Sequence, residues 1–363
     1  MCFLLNKILR TGGTSFCRIA NADGKVWLMP EQGMQVAMNL YQPSGIKGKT
    51  LKRFFPYLYR IRFVRRTIEA ERMTCSLQED IRNLLCRIFQ TPDLEFAIFC
   101  GTPCVHQKIT IQIFNGKQIL GYCKVSDNQE ISKLFESETE VLHFLKKQGM
   151  TGIPECLYCG KIDGNATLFV QSTTKTQHSS VLHEWNALHE TFLLNLQQRT
   201  LQSIPFEESD YYRTIQALQQ HFDWVPECGR IIISKTMKRV INKYGSKQVA
   251  YSAYHADFTP WNIFVEDGKL FVFDWEYAQL TYPPLLDRYH FFTQTAHFEK
   301  HWTPTEIIVY INSTEGKWID REMYILYLLE VVSRFTIREK GHIMGDVSKS
   351  FAIWINLLEY LQE

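Results

Sequence analysis

No apolar run in this 363-residue chain approaches the roughly 18 residues that a membrane span requires. The best, Tyr324 to Leu329, is stopped by Glu330. The opening stretch, Met1-Cys2-Phe3-Leu4-Leu5-Asn6-Lys7, lacks the charged-then-apolar order of a signal peptide. Neither sign of charge prevails. Forty Lys and Arg against 38 Asp and Glu leave +2, which makes no overall case for nucleic acid and none for polycationic substrates. Disulfide spacing is missing as well. Ten cysteines are scattered without a framework, and Cys156-Leu157-Tyr158-Cys159 is a lone C-x-x-C with no second pair. Buried free thiols in a reducing cytoplasm are expected. What remains is an ordinary globular composition, 45% hydrophobic and 21% charged, long enough for two or three packed units.

Against this background one stretch stands out. His255-Ala256-Asp257-Phe258-Thr259-Pro260-Trp261-Asn262 is followed by Phe273-Asp274-Trp275-Glu276. Between them, Ile263-Phe264-Val265 and Leu270-Phe271-Val272-Phe273 read as strands around the turn Glu266-Asp267-Gly268-Lys269. Such a hairpin sets Asn262 at one strand end and Asp274 at the neighbouring end, with Asp257 on the loop just before. Two oxygen ligands and a third carboxylate converging there suit Mg²⁺ and a phosphoryl group. Turn and cap residues without chemistry are the plain alternative.

The spacing H-x-D-x-x-x-x-N followed by D-W-E resembles the aminoglycoside phosphotransferase and choline kinase superfamily, small-molecule relatives of the protein kinases. The resemblance implies an α+β, bilobal, protein-kinase-like fold: a five-stranded antiparallel N-lobe, a mostly helical C-lobe and an N-terminal extension. By it, residues 1–90 are the extension, 91–174 the ATP-binding lobe and hinge, and 175–363 the catalytic and substrate-binding lobe. It makes Asp257 the catalytic residue, Asn262 and Asp274 the Mg²⁺ ligands, and Lys124 the contact to the α- and β-phosphates of ATP. Glu138 becomes the partner of Lys124, with Glu140 as the competing carboxylate. Gly101 lies in the presumed phosphate loop, Cys100 to Gln107. Asp287 is expected to brace the catalytic loop and His255 to be a structural hydrogen-bonding residue. Glu276 serves metal or substrate placement, or else caps a turn. Two departures stand out: Gly101 is the loop's single glycine, and Ala256 replaces a more usual Gly, which is tolerable at negative φ.

The flanking pattern agrees. Glu95–Phe99, Lys108–Phe114, Gln118–Val125, Cys156–Gly160 and Ala166–Gln171 read as strands, with turns at Asn115-Gly116 and Asp163-Gly164-Asn165. Ile131 to Lys147 reads as a helix, and the hinge is expected at Ser172-Thr173-Thr174. Beyond it, helices are expected over His183–Leu196, whose Asn186-Ala187-Leu188-His189 resembles the family's first large-lobe helix with the role of His189 left open between packing and function, and over Ile231–Lys243, Arg321–Arg338 and Ser348–Leu361. Leu201 to Asp223 reads as polar and irregular. Glu207, Glu208 and Asp210 form a small acidic cluster.

Residues 1–90 lie outside the resemblance. Val26–Met29 is strand-like and Gln35–Tyr41 helix-like, and the 47–66 segment holds eight Lys and Arg, no acid, and interleaved apolar residues. Such a segment either lies on an anionic membrane as a peripheral contact or is a solvated face over a packed one.

The expectation is an ATP- and Mg²⁺-dependent phosphotransferase, cytoplasmic, acting on a small-molecule hydroxyl, with a sugar or amino-sugar first and choline-like or antibiotic acceptors open. The rival from another class is a non-catalytic, pseudokinase-like scaffold. A nucleotidyl transferase is a third.

Overall fold

Most of the first 172 residues are spent on one antiparallel sheet. The computed structural model describes residues 3–362, apart from 44, 104–106 and 163. The strands are β1 (Leu9–Ala20), β2 (Val26–Pro30), β3 (Glu71–Leu77), β4 (Glu95–Phe99), β5 (Ile109–Asn115), β6 (Gln118–Ser126), β7 (Cys156–Ile162) and β8 (Ala166–Ser172). They run in the order β3-β1-β2-β4-β5-β6-β8-β7. The resemblance implies five strands; the sheet has eight. The other three come from the first ninety residues, and β2 joins them to β4 through Trp27↔Phe99 and Leu28↔Ile98. The reason lies in β4. Phe96, Ala97 and Ile98 are all buried, so an edge there would strand backbone donors and acceptors away from water. Covering that edge needs a partner from elsewhere in the chain.

Alternation then divides the sheet into two faces. Ile109, Ile111 and Ile113 on β5 join Phe16, Ile98, Cys123 and Val125 on one side. Each such aliphatic side chain contributes about 1.5–3 kcal/mol on full burial. Trp27, Met29, Ala97 and Phe114 form the other, against Met34, Val36, Phe55 and Tyr59. Those four come from the helices Met34–Ala37 and Ile46–Leu58 and the residue after the second. The helix Gln129–Lys147 buries Ile131, Phe135, Glu138, Leu142 and Leu145, a stripe spaced by four and three. Glu138 stands in the middle of that stripe. The Asp163 turn and the centre of the Cys100–Gln107 loop lie outside the described residues.

The chain divides into two units. One takes residues up to 143, 152–180 and 266–271; the other takes 144–151, 181–265 and 272–363. In the second, the helix Arg321–Arg338 is buried without a break from Tyr324 to Ser333. Around it pack Asp210–Gln220, Glu227–Tyr244, Leu286–Phe298 and Gly345–Gln362. A small sheet joins β9 (Gln202–Pro205), β10 (Gln248–Tyr254) and, after the hairpin of β11 (Ile263–Glu266) and β12 (Lys269–Val272), β13 (Gln279–Tyr282), in the order β13-β10-β9.

Several expectations need correction. The helix read as beginning at His183 begins at Ala187, because Asn186 caps it: its side chain accepts from Leu188 N–H, and His189 Nδ1 accepts from Asn186 N–H. Leu201–Asp223 is not irregular. Ser209 caps the helix Asp210–Gln220, whose buried Tyr211, Ile215 and Leu218 form a stripe masked by polar neighbours. The cysteines are free among the described residues, but Cys86, Cys156 and Cys159 are only half-buried and Cys228 is exposed.

Candidate functional site

The first unit builds a lysine pair. Lys124 lies on β6, opposite Thr110 of β5 and Phe169 of β8, so its backbone is fixed from both sides. Its Nζ meets Glu138 Oε2 at 2.7 Å and sits 5.4 Å from the centre of the Phe169 ring. Lys124 is 5% exposed and Glu138 fully buried. An ion pair at this depth holds each partner in one position, since either alone would bear the full desolvation cost. Glu140, by contrast, is exposed on the far side of the helix. The partner is therefore Glu138, as the resemblance implies.

Gly101 has a local reason to be glycine. It takes φ +80, and a Cβ there would lie 2.2 Å from the carbonyl oxygen of Lys108. The close pass of the two chain segments requires it.

The second unit builds the loop. β10 ends at Tyr254, and the next two backbone N–H groups, of His255 and Ala256, donate to Asp287 Oδ2 and Oδ1 at 2.8 and 3.1 Å. Asp287, in the first turn of Leu286–Phe298, thus braces the loop from below. Burial pushes its carboxyl up to about 7, against the two donors that favour the anion. His255 is buried too: Nδ1 accepts from Asp257 N–H at 3.1 Å, and Nε2 lies 3.0 Å from Phe273 O. Those partners assign the neutral Nε2–H tautomer. Burial lowers its pKa to about 4, so it stays neutral. A structural role for His255 follows.

Ala256 does not keep negative φ; it takes +69. The bend that turns two successive N–H groups onto Asp287 demands it, and Arg334 Nη2 holds the Ala256 carbonyl at 2.9 Å from the other side. An alanine held there stores about 1–2 kcal/mol of strain.

Asp257 is clamped at both oxygens. Asn262 Nδ2 donates to Oδ2 at 2.7 Å and to the Asp257 carbonyl at 3.0 Å; His290 Nε2 lies 3.2 Å from Oδ1. The side chain remains 32% exposed. Burial acts to raise its pKa, but the hydrogen bond and charge of His290, with His255 and Arg334, outweigh that and hold it below its ordinary value. It is an anion at neutral pH with fixed direction.

The hairpin completes the set. Phe273 N–H donates to Asn262 O at 3.0 Å, tying the strand ends together. With its amide nitrogen given to Asp257, Asn262 directs Oδ1 elsewhere. Asp274 takes φ +70, and carboxylate oxygens of Asp274 and Glu276 lie within 4.8 Å of each other. Trp275 between them is fully buried, its Nε1–H on Val272 O at 2.9 Å and its ring against His255. Hard oxygen donors grouped this way suit Mg²⁺. The acidic cluster fares differently: Asp210 accepts from Thr281 N–H and Oγ1 and spends itself on β13.

Two groups escaped sequence reasoning. His290 stands three residues after Asp287, one helical turn on, so both face the loop; D-x-x-H was the available signal. Arg334 pairs with Glu330 at 2.7 Å, and Glu330 also accepts from Tyr254 O–H at 2.9 Å. A Glu and an Arg four apart in an apolar helix were legible as a buried pair.

No family model and no curated protein matches the sequence. Among solved structures, the fold is similar to choline kinase LicA from Streptococcus pneumoniae: 14% identity, TM-score 0.47, covering 78% of this chain and 98% of that one. It is similar to a thermostable mutant of aminoglycoside phosphotransferase APH(4)-Ia in ternary complex with ADP and hygromycin B, at 12% identity and TM-score 0.48, covering 78% and 97%. A third is amicoumacin kinase hAmiN in complex with AMP-PNP, Ca²⁺ and Ami, at 11% identity and TM-score 0.45, covering 78% and 93%. The chemistry rests on the side chains described above.

Proposed function

We propose that the protein is an ATP- and Mg²⁺-dependent phosphotransferase that phosphorylates a hydroxyl of a small molecule, with a sugar or amino-sugar as acceptor. One observation carries the reading: an ionised aspartate, partly open to solvent, with both oxygens fixed by Asn262 and His290 on a braced loop. A turn or cap residue needs no such clamp.

In this reading Asp257 accepts a hydrogen bond from the acceptor hydroxyl and aims its oxygen at the γ-phosphorus. The new O–P bond forms as the bond to the β-phosphate oxygen breaks, ADP leaves, and the hydroxyl proton passes to Asp257. A carboxylate held below its usual pKa is a weak base, but a loose phosphoryl transition state asks for little proton transfer until late. Orientation is the larger contribution. Lys124, fixed by Glu138, would place the α- and β-phosphates, and Gly101 belongs to the presumed phosphate loop. Asn262 Oδ1 and Asp274 would hold Mg²⁺, with Glu276 beside them; the ion, when bound, would supply neutralisation of phosphate charge.

The test is ADP release on Mg-ATP across a panel of sugars, amino-sugars and simple alcohols. Wild type forms ADP with an acceptor, and Asp257→Asn lowers kcat by roughly 10²–10⁴-fold while still binding nucleotide. AMP as product, or full activity in Asp257→Asn, overturns the reading.

A further inference from the structure

Five large apolar side chains stand exposed within one ten-residue stretch of the first unit: Phe54 (49%), Tyr57 (67%), Leu58 (39%), Ile61 (49%) and Phe63 (77%). The helices Ile46–Leu58 and Arg62–Thr67 and the link between them carry these residues. They are not the face of a helix that lacks a core. Phe55 and Tyr59 of the same stretch are already buried against the sheet, with Leu51, Val64 and Ile68 packed beside them. Tyr59 O–H donates to Glu31 O at 2.9 Å, and Arg65 holds the link through the carbonyls of Tyr59 and Arg60. The stretch is anchored from beneath, so its outer apolar residues are presented, not left over.

Within the segment that carries them the charge has one sign, and Glu31 of a neighbouring element lines a groove with Tyr57 and Arg60. The 47–66 segment has eight Lys and Arg and no acid, in a chain whose net charge is only +2. Lys47, Lys49, Arg53, Arg60, Arg62 and Arg66 are exposed, flanking the apolar residues on both sides. Phe54 and Leu58 also wall an apolar groove of about 440 Å³ that runs down to Trp27. Rings and aliphatic tips interleaved with exposed cations, over an apolar groove, match the boundary between charged headgroups and acyl chains.

We propose that this surface docks the protein on an anionic lipid bilayer. Phe54, Tyr57, Ile61 and Phe63 enter the headgroup–acyl boundary, and the flanking Lys and Arg meet lipid phosphates, their alkyl stems lying along the apolar surface. A single-stranded nucleic acid would use the cations and the rings but has no use for Leu58 and Ile61, which favours lipid. The proposal is independent of the phosphotransfer reading.

Full-length protein is sedimented with vesicles of phosphatidylcholine, alone or mixed with phosphatidylglycerol, and titrated in parallel with a single-stranded oligonucleotide. The expected result is binding to mixed vesicles at least about tenfold tighter than to phosphatidylcholine alone, weakening with salt. Two exposed-residue variants, Phe54→Ser with Phe63→Ser and Arg60→Glu with Arg62→Glu, each lose about tenfold or more with unchanged melting temperature. Wild type that ignores mixed vesicles, variants that bind them as wild type does, or tighter binding to the oligonucleotide would overturn the proposal.

Discussion

Lys124 in the first unit meets Glu138 at 2.7 Å from a backbone stitched between two strands. Asp257 in the second unit sits on a loop that no sheet stiffens, and its place is set by many groups: Asn262 and His290 on its carboxylate, His255 on its N–H, and Asp287 and Arg334 on the residues before it. The first starts from a backbone that the sheet has already fixed. The second is fixed by side chains from several segments, so that each contact can be lost at smaller cost. Regular structure satisfies its own N–H and C=O groups through the strand ladder; irregular backbone needs a network, because side chains must satisfy those groups.

The largest effect is expected at the buried ion pair. Lys124→Met leaves the Glu138 carboxylate buried without its ammonium and should cost about 3–5 kcal/mol in urea unfolding. Adding Glu138→Leu should restore most of that. A double variant as unstable as the single would mean that the pair is not what fixes the two residues.

In the loop, His290→Ala should lower kcat about tenfold to a hundredfold with the KM for ATP unchanged, since it loosens only the aim of Asp257. His290→Gln, whose amide can still donate to Asp257 Oδ1, should recover much of the loss. Equal loss in both variants would make His290 a packing residue.

A pH titration separates the loop from the sheet. His255 has a folded pKa of about 4 against 6.5, so its stabilising contribution is present above pH 6.5 and is lost as pH falls toward 4. Asp287 works the other way: raised to about 7 from 3.8, its contribution is present below pH 3.8 and is lost as pH rises through 7. Comparing His255→Gln with wild type isolates the histidine. Between pH 7 and pH 5 wild type should lose about 2 kcal/mol more than the variant. Parallel losses would put His255 in contact with water.

The smallest effect is a gain. Ala256→Gly should raise stability by up to about 1 kcal/mol, relief of positive-φ strain offset in part by the freer unfolded chain. A loss in thermal or urea melts would show that the alanine methyl packs usefully.

Much of this was legible in the sequence because it is local. Hairpin turns, strand alternation from Glu95 to Gln171, and the fixed spacing of His255, Asp257, Asn262 and Asp274 all fall within short windows. Glu138 could be distinguished from Glu140 only once the helix stripe was placed on the sheet. The eight-stranded sheet was not legible, since β2 meets β4 across some seventy residues of intervening chain and neither strand names its partner. His290 and Arg334 left local signals, the D-x-x-H spacing and the Glu330–Arg334 pair, but their reach to the loop was not legible because each comes from a separate helix. The φ of Ala256 depends on Asp287 and Arg334 together, which no residue type reveals.

The most direct test is a thermal-shift titration with ATP, with and without Mg²⁺, on wild type and Asp274→Ala. A ligand that binds the native state must raise apparent stability by mass action, about 2.7 kcal/mol at a hundredfold excess over Kd. The expected result is a Mg²⁺-dependent rise in wild type that is lost in Asp274→Ala. No rise in wild type, or the same rise in both proteins, would contradict the account.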